Sequence, residues 1–142
     1  MFFSTYLYSV DDKGRLSVPS RFRDFLRKAS LSETFFLTKG PNGCIWGYPE
    51  DRMNEITSKL ADQPTGGMEE EFLRLFAADA VECPIDKQCR IIVPPALRDY
   101  AGVRRDVAVL GVVKRIEIWD RAKYEAYRKA NASASVPKGY LL

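Results

Sequence analysis

The chain contains the same charged segment twice, and this repeat limits the folds that it can adopt. Residues 11–23 and residues 86–98 both follow the pattern Asp-x-x-x-Arg, three strand-like residues, proline, and a short apolar segment that carries arginine. Matching positions are separated by a constant 75 residues. A period of this length predicts two copies of one supersecondary unit. Because modules of roughly 50 residues bury little surface alone, we expect the copies to share a core, with each other or with a second subunit.

Each copy contains the same predicted order of elements. Aromatic and β-branched residues predict a first strand over residues 2–10 and again over residues 80–85, and a turn and a short second strand follow. Apolar spacing predicts a helix over residues 20–28, and the matching helix over residues 94–101 ends at Gly102. A hairpin and a second helix complete each copy. The sequence therefore predicts an α+β fold built from a duplicated module.

The segment between the copies contains a break and one additional helix. Residues 63–67 read Gln-Pro-Thr-Gly-Gly, which predicts an interruption of regular structure. The helix that follows carries Phe72, Leu75 and Phe76 on one face. At the other end of the chain, residues 131–142 begin Ala-Ser-Ala-Ser from position 132 and are expected to form a mobile tail.

The composition argues against several classes of active site. The chain has no histidine, which removes the commonest general base and the commonest metal ligand. The three cysteines, Cys44, Cys83 and Cys89, are odd in number and lack C-x-x-C spacing. Carboxylate pairs such as the one at residues 11–12 are strongly solvated and have no evident partner base. We therefore expect no enzymatic activity: no catalytic residues, no metal, no cofactor and no small-molecule substrate.

Neither membrane insertion nor secretion is expected from the sequence. No apolar run approaches the roughly 18 residues that a membrane-spanning helix needs. The N-terminal segment lacks both the basic region and the small-residue cleavage site of a signal peptide. These features predict a cytoplasmic protein.

Positive charge is concentrated in the two repeated segments. Residues 11–28 hold six Lys or Arg against three Asp, and residues 86–105 hold five against two, so each segment has a net charge of +3. The net charge of the whole chain is also +3, and the remaining residues are therefore net acidic. This pattern is typical of a protein that binds a polyanion such as DNA or RNA. The alternative is a solvated surface on which the arginines form local ion pairs.

The repeated motifs resemble those of the MraZ family. Residues 11–23, together with the start Met1-Phe2, resemble its first signature. Residues 82–102 and the ending Glu-Ile-Trp-Asp at 117–120 resemble its second half. The match runs from Met1 to about Lys129, which is nearly the whole chain. Two motif copies with a shared ending are far more specific than a single Asp-x-x-x-Arg.

The resemblance implies a fold and a function. It implies duplicated AbrB-like swapped-hairpin β-barrel modules with flanking helices, at residues 5–52 and 81–124, assembled into ring-shaped homo-oligomers. It also implies a nucleoid-associated bacterial transcription regulator. Such a regulator binds short direct repeats in double-stranded DNA upstream of its own operon of division and cell-wall genes, with repression as the expected effect.

The resemblance also implies that the two Asp-x-x-x-Arg turns are placed on DNA. The basic candidates for DNA binding, including two from the helices that follow the turns, are Lys13, Arg15, Lys87, Arg90, Arg21 and Arg98. The residues expected to fix the turns are Asp11, Gly14 and Asp86. An Asp four residues before an Arg can orient the guanidinium for phosphate or guanine recognition. The alternative is that Asp and Arg only tie the turn to the barrel.

This chain departs from the family pattern at three positions. The family usually has glycine before the arginine of each turn, and the second turn here has Cys89. If that position needs a positive φ, cysteine carries a cost of roughly 1 kcal/mol or more. The family also usually has glycine at the fourth position and histidine at the eighth, where this chain has Ser4 and Tyr8.

An alternative function lies within the same class of fold. An AbrB-like antitoxin or an oligomeric scaffold would act mainly through protein contacts, and we would expect it to carry a long peptide-binding extension. The segment after Asn131 is short.

Overall fold

The structure is a computed structural model that describes residues 1–62, 67–135 and 137–140. The strands within these ranges are β1 (Thr5–Ser9), β2 (Arg15–Ser17), β3 (Thr34–Lys39), β4 (Ile45–Tyr48), β5 (Val81–Pro84), β6 (Arg90–Ile92), β7 (Asp106–Val112) and β8 (Arg115–Asp120). The α-helices are α1 (Ser20–Lys28), α2 (Glu50–Ala61), α3 (Met68–Asp79), α4 (Pro95–Ala101) and α5 (Arg121–Ala130). Most of the predicted break at 63–67, and part of the predicted tail, lie outside the described residues.

The two copies exchange strands. Six strands form an antiparallel sheet in the order β1-β7-β8-β4-β3-β5, and β2 pairs with β6 in a separate antiparallel ribbon. The first strand of each copy pairs with the third strand of the other copy, β1 with β7 and β5 with β3. Neither copy therefore completes its own sheet, and the mixed α+β architecture depends on both.

One hydrophobic core serves both copies, as expected from their size. Leu16 and Val18 of the first copy and Ile91 and Val93 of the second are buried in the same cluster, together with apolar residues of α1 and α4. Each short β-strand of the ribbon thus turns alternate side chains into a core that neither copy could form alone.

The limits of helices α1 and α4 agree with those predicted from the sequence, whereas strand β1 starts later than predicted. Helix α1 spans Ser20–Lys28, and α4 ends at Gly102, which has a φ of 67°. Strand β1 begins at Thr5 instead of position 2 because Ser4 has a φ of 76°, which interrupts extended structure. Phe2 lies beyond this interruption and forms an isolated bridge to Val113.

Helix α3 uses only part of its apolar face. Phe76 packs near Tyr48, with ring centroids 6.4 Å apart. Met68, Phe72 and Leu75 are 88%, 55% and 61% exposed. This helix therefore presents an apolar surface that the described part of the chain does not cover.

Candidate nucleic-acid interface

The first turn (residues 11–15) is held by the carboxylate of Asp11. Its Oδ1 accepts hydrogen bonds from the backbone N–H groups of Lys13 at 3.0 Å and Arg15 at 2.9 Å. Its Oδ2 accepts one from Arg15 Nε at 2.5 Å. The backbone N–H of Arg15, followed by its guanidinium, lowers the pKa of Asp11 below its ordinary value. Nε carries the ion pair, and the two terminal nitrogens of Arg15 make no hydrogen bond to the described residues.

The second turn (residues 86–90) repeats this backbone arrangement with a looser ion pair. Asp86 Oδ1 accepts from the backbone N–H groups of Gln88 at 2.8 Å and Arg90 at 3.0 Å. Desolvation raises the pKa of Asp86, but these two hydrogen bonds together with the guanidinium of Arg90 outweigh it and the net shift is downward. Arg90 Nε lies 3.6 Å from Asp86 Oδ2, and its guanidinium donates instead to the Gln88 side chain. The guanidinium of Arg90 is therefore held less directly than that of Arg15.

The ribbon of β2 and β6 places the two turns at its opposite ends. Arg15 pairs with Ile92 and Ser17 pairs with Arg90, while Leu16 and Ile91 between them are buried. Paired residues and alternate residues of a ribbon share one face, so the four residues that flank the buried pair all lie on the outward face. The list of outward residues is Arg15, Ser17, Arg90 and Ile92. The two arginines are separated by about 7 Å along the strand direction.

Each turn is also tied to the other copy through its fourth residue. Val93 N donates to Gly14 O at 2.8 Å, and Val18 N donates to Cys89 O at 2.8 Å. Both fourth residues have a positive φ, 80° at Gly14 and 60° at Cys89. The cysteine thus adopts the positive φ that glycine has in the first turn, and Ser4 also has a positive φ at the other position where the family usually has glycine.

The remaining basic candidates differ in their surroundings. Lys13, Lys87 and Arg21 are exposed, and none of them has an ion pair with the described residues. Arg98 is half-buried, and its Nε donates to Val93 O at 3.0 Å beside the first turn. The structure thus brings the two turn arginines onto one face, and Arg98 has a packing contact at that site.

Two arginines beside the first turn were not singled out in the sequence. Arg104 and Arg105 are exposed on the loop between α4 and β7, and Val10 N donates to Arg105 O at 2.8 Å. They line a shallow cleft of about 360 Å³ together with residues 9–12. Their side chains form no ion pair with the part of the chain that is described. The sequence does contain a signal for them, because two consecutive arginines end the basic segment at residues 86–105.

The matching loop of the first copy carries an acid instead. Ile85 N donates to Glu33 O at 2.9 Å, as Val10 does to Arg105 O. The Glu33 side chain accepts hydrogen bonds from Arg23 at 2.6 Å and Arg27 at 3.0 Å. The Arg23 hydrogen bond, with a further contribution from Arg27, lowers the pKa of Glu33. The arginines near the second turn are therefore partly neutralised.

The thiols and carboxylates of the described residues serve packing and ion pairing. Desolvation raises the pKa of Cys44 and Cys83 to about 12, so both buried thiols are protonated at neutral pH. Within the described ranges, no group of three metal-ligating side chains is placed to hold an ion. No described helix has the length and apolar character to cross a bilayer.

Comparisons with known proteins identify the family of this chain. A family model described as "MraZ protein, putative antitoxin-like" matches residues 1–75 and again residues 76–139. The transcriptional regulator MraZ of Acetivibrio thermocellus is 42% identical over 128 residues, covering 89% of this chain and 86% of that protein. The proteins of the same name from Pelotomaculum thermopropionicum and Caldicellulosiruptor saccharolyticus are each 40% identical, over 94% and 97% of this chain and 90% and 93% of their own lengths. The chain belongs to the MraZ family.

Proposed function

We propose that this protein is a sequence-specific DNA-binding transcriptional regulator and not an enzyme. It acts on direct repeats upstream of its own operon of division and cell-wall genes, as a repressor associated with the nucleoid in the cytoplasm. The relatives named transcriptional regulator MraZ support the general function. The observation that carries DNA binding is the ribbon, which presents Arg15 and Arg90 on one outward face with a lysine-bearing turn at each end.

The dimensions and charges of the ribbon fit a duplex. A two-stranded ribbon enters the major groove, which is about 12 Å wide. Arg15 is oriented by Asp11 through Nε, which leaves its terminal nitrogens for a phosphate or for the O6 and N7 acceptors of guanine. Lys13 and Lys87 lie in the turns at the ends of the ribbon, where they contact the phosphates on either side of the groove. The same face thus supplies both affinity and orientation.

We propose that repeat units at residues 5–52 and 81–124 form swapped-hairpin barrels and assemble into a ring. The exchange of first strands between copies supports the swapped-hairpin form. A ring supports recognition of direct repeats, because neighbouring subunits present the same face in the same direction, and their contacts add through effective concentration. Light scattering is expected to report a homo-oligomer well beyond a dimer, and a 16.2 kDa monomer at micromolar concentration would contradict the ring.

A second function, through protein contacts, is favoured by the family description "antitoxin-like" and by the exposed face of α3. Met68, Phe72 and Leu75 form an apolar stripe that a protein partner or a second subunit could cover. Under this alternative, substitutions on α3 would abolish function while substitutions on the ribbon would not.

The deciding experiment is fluorescence anisotropy of the full-length protein on labelled duplexes. One duplex carries the direct repeats from upstream of the chain's own operon, and the other carries the same bases in scrambled order. Arg15→Ala removes hydrogen bonds to a charged group worth about 1.5–3 kcal/mol at each engaged subunit. A duplex that touches two subunits therefore loses about 100-fold in affinity or more. The wild-type affinity is also expected to fall steeply as the salt concentration rises.

The matched control is Arg74→Ala on α3, where the exposed arginine pairs with Glu71 away from the ribbon. It is expected to bind like the wild type. Size-exclusion chromatography of both variants establishes whether the assembly is intact. If Arg15→Ala keeps the wild-type affinity and salt dependence in an intact assembly, the turn is structural and the proposed mode of binding is wrong.

A further inference from the structure

We infer that the outward face of the ribbon reads base sequence through Ile92, which contacts the 5-methyl group of a thymine, and that Ser17 gives the ribbon a direction. This inference rests on the proposed function and deepens it. Contacts to phosphates carry no sequence information, and an arginine at guanine reads only that base, so further side chains at the base edges add to the discrimination of a sequence-specific regulator. The ribbon supplies two such positions on the face that carries its arginines, each directly across from one of them.

Ile92 is an apolar side chain at an exposed position, where it contributes little to the hydrophobic core. It is 59% exposed at the end of β6, across the ribbon from Arg15, although its neighbour Ile91 is 2% exposed in the core. A polar residue at this outward position would have the same backbone pairing and would leave no apolar surface in water. An aliphatic side chain there matches the one apolar group on the floor of the major groove, the thymine methyl.

Ser17 occupies the equivalent position of the first copy and differs in chemistry. The ribbon is nearly two-fold symmetric about the buried pair Leu16 and Ile91, because Arg15 matches Arg90. Ser17 faces Arg90 as Ile92 faces Arg15, so one half of the face offers a hydroxyl and the other an apolar group. A symmetric face would read a palindrome in either orientation. This asymmetric face distinguishes the two orientations, as direct repeats require.

Replacing thymine by uracil in the operator tests the contact directly, because uracil lacks only the methyl group. Wild-type protein is expected to lose about fourfold in affinity for each engaged methyl group when the repeats carry uracil, the effect of exposing one buried carbon. The variant Ile92→Ser is expected to bind thymine repeats about fourfold more weakly per engaged subunit and to be insensitive to uracil. Its affinity for the scrambled duplex and its salt dependence are expected to equal those of the wild type, since no charge is removed.

The control variant is Val81→Ser, which removes a β-branched side chain that is 38% exposed on β5, in the other sheet. It is expected to respond to uracil like the wild type. Equal sensitivity of wild type and Ile92→Ser to uracil, or no sensitivity in either, overturns the contact even if the wild type prefers the repeats. A wild type that binds repeats and scrambled DNA equally well contradicts the proposed function itself.

Discussion

The two basic turns have the same backbone and different electrostatic surroundings. In both, an aspartate Oδ1 accepts from the N–H groups two and four residues later, and the fourth residue has a positive φ. In both, the carbonyl of that residue accepts a hydrogen bond from the other copy at 2.8 Å. Duplication has therefore kept every backbone feature of the turn.

The side chains around the turns have diverged. The first turn has the short Asp11–Arg15 pair and two arginines without ion pairs among the described residues, Arg104 and Arg105. The second turn has a 3.6 Å separation between Asp86 and Arg90, and the nearby Glu33 binds two arginines. The shared backbone indicates that its arrangement serves the fold in both copies, and we expect anion binding to be concentrated at the first turn, where fewer arginines are paired.

The largest expected effect is on the free energy of unfolding, and it comes from substitutions at the fourth residue of each turn. These substitutions change the backbone conformation of a turn without removing its charged side chains. Gly14 has a φ of 80°, and a Cβ there would lie 2.9 Å from Val93 O and 3.1 Å from Arg98 Nε. Gly14→Ala is therefore expected to destabilise the fold by about 2–3 kcal/mol. Cys89→Gly is expected to be neutral or to stabilise by up to about 1 kcal/mol, because glycine adopts the φ of 60° without strain. Urea unfolding followed by circular dichroism measures both.

The unfolding slope serves as the control for this comparison. An unchanged slope shows that each variant changes stability and not the extent of unfolding. Cys89 Sγ also donates to Val18 O at 3.4 Å, a weak contact that glycine loses. A loss well above about 1 kcal/mol in Cys89→Gly would show that packing of the thiol outweighs relief of the positive φ.

The second prediction compares the two arginines of the ribbon. Arg90→Ala is expected to weaken binding to the direct repeats by about tenfold, less than Arg15→Ala, since the Arg90 guanidinium is held less directly by its aspartate. Anisotropy on the same duplex measures both variants, with size-exclusion chromatography as the control for assembly. An Arg90→Ala loss equal to or larger than that of Arg15→Ala would mean that the two turns contribute equally or in the opposite order.

The repeat, the helices and the turns could be predicted from the sequence because they depend on local chemistry. The apolar spacing of α1 and the glycine at the end of α4 gave the right limits, and the Asp-x-x-x-Arg spacing predicted the pairing in each turn. The repeat identified Cys89 as the counterpart of Gly14 and left the shape of the second turn open, and the φ of 60° at Cys89 shows that both turns have the same shape.

The exchange of strands and the contrast between Arg105 and Glu33 could not be predicted in this way. The pairing of β1 with β7 joins segments about 100 residues apart and has no local signal. Arg105 and Glu33 are equivalent in the structure, but they do not follow the 75-residue offset, because the second copy is shorter in its first helix and in the loop that follows. The backbone hydrogen bonds from Val10 and Ile85, and the place of each residue directly before β7 or β3, identify them as matching positions.

The smallest expected effect tests whether the charge of the loop before β7 or β3 changes the DNA affinity of the neighbouring turn. Arg105→Ala removes one cation beside the first turn and is expected to weaken binding to the direct repeats by about threefold and to reduce the salt slope by about 1. The backbone carbonyl that binds Val10 is unchanged, so the fold should be intact. Glu33→Gln is the reciprocal change: it weakens the ion pairs of Arg23 and Arg27 and is expected to increase affinity and salt slope. Anisotropy across a salt series measures both, and circular dichroism checks the fold. If both variants change affinity in the same direction, then the loops act through stability, and charge at the turns does not explain their difference.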